Sequence, residues 1–322
     1  MRITVLSGGV GGSRFVQGLL AAAPDADVTV VVNTADDVWM HGLRVSPDLD
    51  TAMYTLTDAI DPERGWGRRD ETWHAKEELE AYGAEQAWFG LGDRDLATHL
   101  VRSMVLREGG TLSDATRRLC ERWQPPVTLL PMSDDEVETH IATTVDGADV
   151  EIHFQEFWIR HRAQVPVHAV EVHGLADAVP APGVVEAVLE ADVVVLPPSN
   201  PIVSVGPILG VRAVGEAVRT TRAPVVGVSP IIGGAAVRGM ADQLLTGLGI
   251  ELSAGGVARH LGARRDGGVL DGWLVDASDA DHLPGLDALG VVGRAVPLWM
   301  RDPATTRRLA EDTLALADEL RG

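Results

Sequence analysis

The sequence predicts a doubly wound α/β fold, and three observations lead there. A short apolar strand containing Ile3, Val5 and Leu6 runs straight into a glycine cluster and a helix. Further on, runs of Val, Ile and Leu bounded by Gly/Pro loops alternate with helical segments, as parallel strands buried on both faces require. No internal repeat or low-complexity linker competes with that rhythm. The sheet is therefore expected to be mostly parallel and Rossmann-like, carrying a helical and a β-hairpin insertion.

The elements follow in order. Phe15, Leu19 and Leu20 fall on one face of the first helix, so Gly8-Gly9-Val10-Gly11-Gly12-Ser13 occupies a strand-to-helix turn. A second strand spans 28–32 and ends in Asn33. Helical spacing resumes over 51–58. Helices are then predicted over 71–82, stopped by Gly83, over 93–106, stopped by Gly109-Gly110, and from Ser113 as N-cap to just before Pro125-Pro126. Residues 61–125 thus read as a helical insertion in a nucleotide-binding core made of 1–60 and 126–322. A strand at 127–130 precedes a hairpin of 139–145 and 150–154 joined by Asp146-Gly147, then a strand at 167–172. The α/β rhythm returns with a helix at 183–190, a strand at 192–196, a helix at 211–219, a strand at 225–228 and a helix at 240–248. A strand at 296–299 and a helix at 303–320, capped by Asp302, close the chain.

Composition limits the function. With 322 residues, 45% of them hydrophobic, the chain can bury one large core or two coupled ones. Its net charge of −20 argues against nucleic acid, which needs clustered Lys/Arg, but not against a small polyanion handled by a metal and backbone donors. The single cysteine, Cys120, excludes an internal disulfide and reads as a core thiol. No signal peptide precedes the first strand and no apolar run is long enough to span a bilayer, so a cytoplasmic protein without membrane partners is expected.

The glycine turn offers backbone N–H groups and a positive helix end to an anion, with Gly8, Gly9, Gly11 and Gly12 as the cradle. It is not a P-loop, because the only lysine in the chain is Lys76. An ordinary NAD site is also excluded: Arg14 stands where a third glycine should close helix against strand, and the second strand lacks a terminal acid. Asp36-Asp37 and Asp48-Leu49-Asp50 follow the second strand and reach the same edge as the turn. Each pair alone reads equally as turn or capping chemistry. Both beside a phosphate cradle read as a Mg²⁺ site. Asp93-Arg94-Asp95 is a second candidate, open between an N-cap with its ion-pair partner and a ligand contact. Ser199, Asn200 and Ser204, then Ser229 and Gly233, sit in loops after strands and can line a phosphate or base without adding charge. His168-Ala-Val-Glu-Val-His173 lacks the H-E-x-x-H order of a zinc motif, and no serine has a nucleophile-elbow context.

Seven blocks taken in order, SGGVGGSRF, VVNTADDVWMHGLRVSPDLDT, WFGLGDRDLATHLVRS, LLPMSDDEVETHI, HFQEFWIR, PPSNPIVSVGPIL and SPIIGGAAVRGMA, resemble the 2-phospho-L-lactate transferase family of coenzyme F420 biosynthesis. The resemblance implies transfer of a phosphorylated three-carbon acid from a GDP-activated donor to the deazaflavin Fo, with Mg²⁺ and release of GMP. The tryptophan-rich pattern favours a phosphoenolpyruvyl donor, giving dehydro-F420-0 in place of F420-0. By the same resemblance Asp50 and Arg94, with Asp93, contact Fo, and Asp36 and Asp50 hold the metal, Asp50 also serving as the catalytic carboxylate. Residues 61–125 would then contribute to the Fo site, with Trp39, Trp66, Trp73 and Trp88 available for a flat ring. A homodimer is implied too. The competing reading is a non-catalytic nucleotide-sugar-binding regulator on the same fold, and an NAD-dependent dehydrogenase is a distant third.

Overall fold

Strand β1 (Arg2–Ser7) is an interior strand of the main sheet, and its side chains reach both faces. Ile3 and Val5 point to one side and Leu6 to the other, as the period of two in a strand demands. The computed structural model describes residues 1–237 and 239–322. Helix α1 (Val10–Ala22) follows, then β2 (Asp27–Val32), paired in parallel with β1. The acidic segment folds into a small antiparallel ribbon, β3 (Val38–Met40) and β4 (Leu43–Val45), before α2 (Pro47–Leu56).

Next come α3 (His74–Ala81), α4 (Asp95–Arg107), α5 (Leu112–Trp123) and strand β5 (Thr128–Pro131), which lies on the far side of β2. Strands β6 (Glu138–Val145), β7 (Ala148–His153) and β8 (Ala169–His173) form a separate antiparallel sheet in the order β7-β6-β8. Asp146 and Gly147 both adopt positive φ, 51° and 82°, as a two-residue hairpin turn requires. A π-helical turn, Glu156–Arg160, follows β7.

The second half supplies α6 (Val184–Leu189), β9 (Val193–Leu196), α7 (Val205–Gly210), α8 (Arg212–Thr220) and β10 (Val225–Val228). A two-stranded ribbon, β11 (Ile231–Ile232) and β12 (Ala235–Ala236), precedes α9 (Ala241–Gly247) and α10 (Ala254–Leu261). The chain ends with β13 (Gly272–Asp276), α11 (Leu283–Leu289), β14 (Val292–Val296) and α12 (Pro303–Arg321). The main sheet has seven parallel strands in the order β14-β13-β10-β9-β1-β2-β5.

That order winds outward from β1 through β2 to β5, then returns to β9 on the other side of β1 and winds the opposite way. The direction of winding switches between β1 and β9. The helices that follow them, α1 and α7, therefore pack on opposite faces and leave a crevice beyond the strand ends, the usual ligand position in an open α/β sheet. Val193 and Val195 face one core with Ile3 and Val5, while Val194 and Leu196 face the other with Leu6, so both faces are covered by helices. Leu112 and Leu119 of α5 join the first of these cores. A third, smaller cluster of Val38, Met40, Val45 and Leu91 seats the β3-β4 ribbon against the segment around Phe89.

Several boundaries differ from the sequence reading. Helix α2 begins at Pro47, not at 51, because proline at its first position presets φ and Ser46 precedes it. Asp48 and Asp50 are thus in a first helical turn, not in a loop before one. The cap of α5 is Thr111, not Ser113: its side chain accepts from the Asp114 N–H while Asp114 accepts from the Thr111 N–H. The last strand is Val292–Val296, ahead of the apolar stretch that suggested 296–299. Strand β13 and helices α7, α10 and α11 have no counterpart in the sequence pattern, being short, glycine-broken or without apolar periodicity. Cys120 is half-buried against the core, and burial pushes its thiol up to about 11.

Candidate active site

A cavity of about 540 Å³ occupies the crevice between the ends of β1 and β9. Its floor is the glycine turn. The first intrahelical bond of α1 runs from the Ser13 N–H to the Gly9 carbonyl at 3.0 Å, so helix geometry leaves the N–H groups of Val10, Gly11 and Gly12 without a partner in the helix. The absence of side chains here is a steric necessity. A Cβ at Gly8 would stand 2.5 Å from Ser204 Oγ, one at Gly9 2.5 Å from Asp48 Oδ1, and one at Gly11 2.6 Å from the Pro198 carbonyl. Gly12 is off the cavity wall, and a Cβ there would run into Ser7 Oγ. It therefore supplies the close approach of helix to strand that Arg14 could not. Arg14 is exposed, lines the cavity, and makes no ion pair among the described residues.

The β9 loop forms the facing wall with Ser199, Asn200 and Ser204. Ser199 Oγ accepts from the Gly8 N–H at 3.1 Å, tying the two strand ends together. Asn200 Oδ1 accepts from the N–H of Ile202 at 2.9 Å and orders its own loop. Ser229 also lines the cavity, though its hydroxyl is engaged with the main chain of Ile231. Gly233 does not line it: this glycine is exposed, has φ 59°, and donates its N–H to Asp279.

Two carboxylates line the same cavity, Asp36 and Asp48, the second of them packed against Gly9. Burial, then Asp48, then Asp37 push the Asp36 carboxyl well above its ordinary value, and Oδ1 of Asp36 is buried without a hydrogen-bond partner. Burial raises Asp48 to about 6, although Asn33 Nδ2 donates to it at 3.0 Å and the Gly9 N–H also lowers it. The carboxylate set beside Asp36 on the wall is thus Asp48, two residues before the one chosen from sequence.

Asp50 is 4% exposed and does not line the cavity. It forms an ion pair with Arg102, itself 1% exposed, while His99 Nδ1 lies 3.6 Å from its Oδ2. Burial raises the Asp50 carboxyl, and Arg102 and His99 work against that rise. The network continues from His99 Nε2 to Asp95 at 3.5 Å, and the Tyr54 hydroxyl stands 2.6 Å from Asp95 Oδ1. Asp37 is fully buried and is raised to about 7 by that burial; Arg44 at 3.8 Å and the Ser46 hydroxyl at 2.5 Å oppose the rise. Arg102, Arg44, His99, Tyr54 and Ser46 were not picked out for this role in the sequence. The one signal available was the spacing of Asp95, His99 and Arg102, which places three polar groups on a single face of α4.

The other two residues expected to contact Fo, Asp93 and Arg94, also lie apart from the cavity. Asp93 accepts from Thr72 Oγ1 at 2.6 Å and from the N–H groups of His74 and Ala75 at 3.0 and 2.9 Å, which makes it the cap of α3 rather than of its own helix. These bonds hold its carboxyl below the ordinary range. Arg94 is exposed; its N–H donates to Glu71 at 2.8 Å, and its guanidinium has no ion pair among the described residues. None of Trp39, Trp66, Trp73 or Trp88 lines the cavity. Trp158 and Trp299 do, both partly exposed.

The residue pattern and this crevice agree with a family-wide comparison. Residues 3–284 match the model of "2-phospho-L-lactate transferase CofD". The chain belongs to the CofD family. A protein of Streptomyces coelicolor named "Phosphoenolpyruvate transferase" is 56% identical over 321 residues, covering 100% of this chain and 99% of that protein. Proteins of the same name from Nocardia farcinica and Mycobacterium sp. (strain JLS) are 54% and 53% identical, each over 98% of this chain and over 95% and 99% of their own lengths. The chain is accordingly an enzyme, a phosphoryl-group transferase of coenzyme F420 biosynthesis. The solved structure of protein BH3568 from Bacillus halodurans shares the fold, with a TM-score of 0.62 over 97% of this chain and 99% of that one at 19% identity. No helix among the described residues is long and apolar enough to cross a membrane.

Proposed function

We propose that this CofD-family enzyme moves a phosphoenolpyruvyl group from a GDP-activated donor to the terminal hydroxyl of Fo, releasing GMP and giving dehydro-F420-0. The observation that carries the reading is that a helix N-terminus with free N–H groups and a carboxylate pair line one cavity at the switch point. The diphosphate rests on the N–H groups of Val10, Gly11 and Gly12, where partial positive charge is concentrated. The name borne by relatives at 53–56% identity supports phosphoenolpyruvyl over 2-phospholactyl as the group moved.

Mg²⁺ fits the donor set. Asp36 and Asp48 offer only hard oxygens, Asp36 Oδ1 lacks a partner, and their mutual repulsion is what a cation relieves. Bound there, the ion supplies neutralisation of phosphate charge. Phosphoryl transfer asks the protein mainly for positioning and electrostatic stabilisation. The glycine turn positions the donor, Ser199 and Ser204 close its flank, and Trp158 and Trp299 offer flat faces for a ring. Asp50 acts here as an anchor rather than a ligand: its pair with Arg102 fixes the first turn of α2 and so aims Asp48 at Gly9. The reading includes a homodimer working in the cytoplasm.

The deciding experiment supplies purified enzyme with Fo, Mg²⁺ and each GDP-activated donor in turn, with products identified by mass. Dehydro-F420-0 and GMP from the phosphoenolpyruvyl donor are expected. F420-0 from the phospholactyl donor alone reverses the donor assignment, and no product from either removes the transfer itself.

A further inference from the structure

The outer face of the antiparallel sheet β7-β6-β8 gathers three histidines that the transferase site does not use. Pairing sets His140 opposite His153 on one side and Glu171 on the other, with Ala142 opposite Glu151 and Glu138 opposite His173. Because side chains alternate, His140, Glu138, Glu151, His153, Glu171 and His173 all rise from the same face. His140 Nδ1 lies 3.6 Å from Glu151 Oε1, and His173 Nε2 lies 2.9 Å from that same oxygen. Each of the three residues can offer one ligand atom, and those atoms lie within 4.8 Å of one another.

We propose that this face binds a divalent transition-metal ion of the zinc type through His140 Nδ1, Glu151 Oε1 and His173 Nε2, with water completing the shell. Two imidazoles and one carboxylate with an open position is a donor set for Zn²⁺ and its neighbours, whereas Mg²⁺ prefers oxygen alone. The outer contact has the expected form as well. Glu138 Oε2 stands 3.4 Å from His140 Nε2, where it orients the ring and leaves Nδ1 for the ion. Without an ion the rings of His140 and His173 stack, 4.3 Å apart and 10° from parallel. His173 is the last residue of β8 and half exposed, so its ring is free to tilt out of the stack while Nε2 stays beside Glu151. A motif along the chain could not reveal the site, because its ligands come from three strands.

Calorimetric titration of the untagged, EDTA-treated chain with zinc chloride tests the site. One saturable equivalent is expected. Glu151→Gln and His173→Ala, both at exposed positions, should each weaken binding at least about tenfold, and Co²⁺ should give visible d–d absorption that the two variants lose. His74→Ala on α3 should bind as the wild type does. Absence of saturable uptake overturns the proposal, as does uptake unchanged in Glu151→Gln and His173→Ala. Uptake lost instead in Asp48→Asn also overturns it, by placing the ion in the cavity. Because the reading is independent of the transfer reaction, Fo turnover does not enter the test.

Discussion

Asp48→Asn separates the cost of the carboxylate pair from its use. Raising a carboxyl from 3.8 to about 6 means that the fold disfavours its ionised form by about 3 kcal/mol, at about 1.36 kcal/mol per pH unit. The sign follows from linkage. Below 3.8 folded and unfolded chains are both protonated and no penalty exists; between about 4 and 6 the unfolded chain ionises first, and above about 6 the full penalty is present. Wild-type stability without metal should therefore fall across that window, while Asp48→Asn lacks the titration and should not. At roughly 2.1 cal/mol/K per residue, 322 residues give about 0.7 kcal/mol/K, so the variant should melt up to about 4 °C higher at pH 7 and no higher at pH 4. The amide can still accept from Asn33 and Gly9, which keeps the comparison fair. Added Mg²⁺ should raise the melting temperature of the wild type and not of the variant, and transfer should drop at least about a hundredfold. Scanning calorimetry at four pH values in EDTA and in Mg²⁺, with product counting, reads all of this. A variant less stable than the wild type at pH 7, or one with normal turnover, refutes the reasoning.

Asp50→Asn should behave in the opposite way, losing about 3–5 kcal/mol because Arg102 is left as a buried charge without its partner, a fall of roughly 4–7 °C in the same calorimeter. Gly11→Ala should abolish donor binding in a fluorescence titration and also cost about 1–3 kcal/mol, since its Cβ meets the Pro198 carbonyl. Burial lowers His153 from 6.5 to about 4, so the folded chain keeps it neutral while the unfolded chain takes up a proton. Stability should drop by up to about 3 kcal/mol as pH falls from about 6.5 to 4, and His153→Asn should move the acid-unfolding midpoint to lower pH.

What the sequence showed well was whatever depends on neighbours along the chain. The strand, glycine turn and helix at residues 2–22 are legible because Ile3, Val5, Leu6, Phe15 and Leu19 carry the periods of two and 3.6 within one stretch. The hairpin at Asp146-Gly147 is legible for the same reason, since its turn needs positive φ and those residues adopt it. Hidden from such a reading was whatever depends on partners far away. Asp93 looks like a cap for the helix that follows, yet it caps α3, which begins nineteen residues earlier, through His74. Glu71 binds the N–H groups of Arg94 and Asp95, a pairing that no local pattern announces.

The choice between Asp48 and Asp50 shows the same limit on a finer scale. Two carboxylates separated by one residue in a loop are chemically equivalent candidates. In a helix they diverge by about 200°, because each residue advances about 100°. Once Pro47 starts α2 early, only one of the pair can face Gly9, and the other must turn toward α4. Arg102 and His99 meet it there, so the buried charge of Asp50 is matched. The arrangement leaves the uncompensated charge on the cavity side, at Asp36 and Asp48, where a cation and a diphosphate can reach it. Folding stability and charge on the wall are thereby assigned to different carboxylates of the same turn.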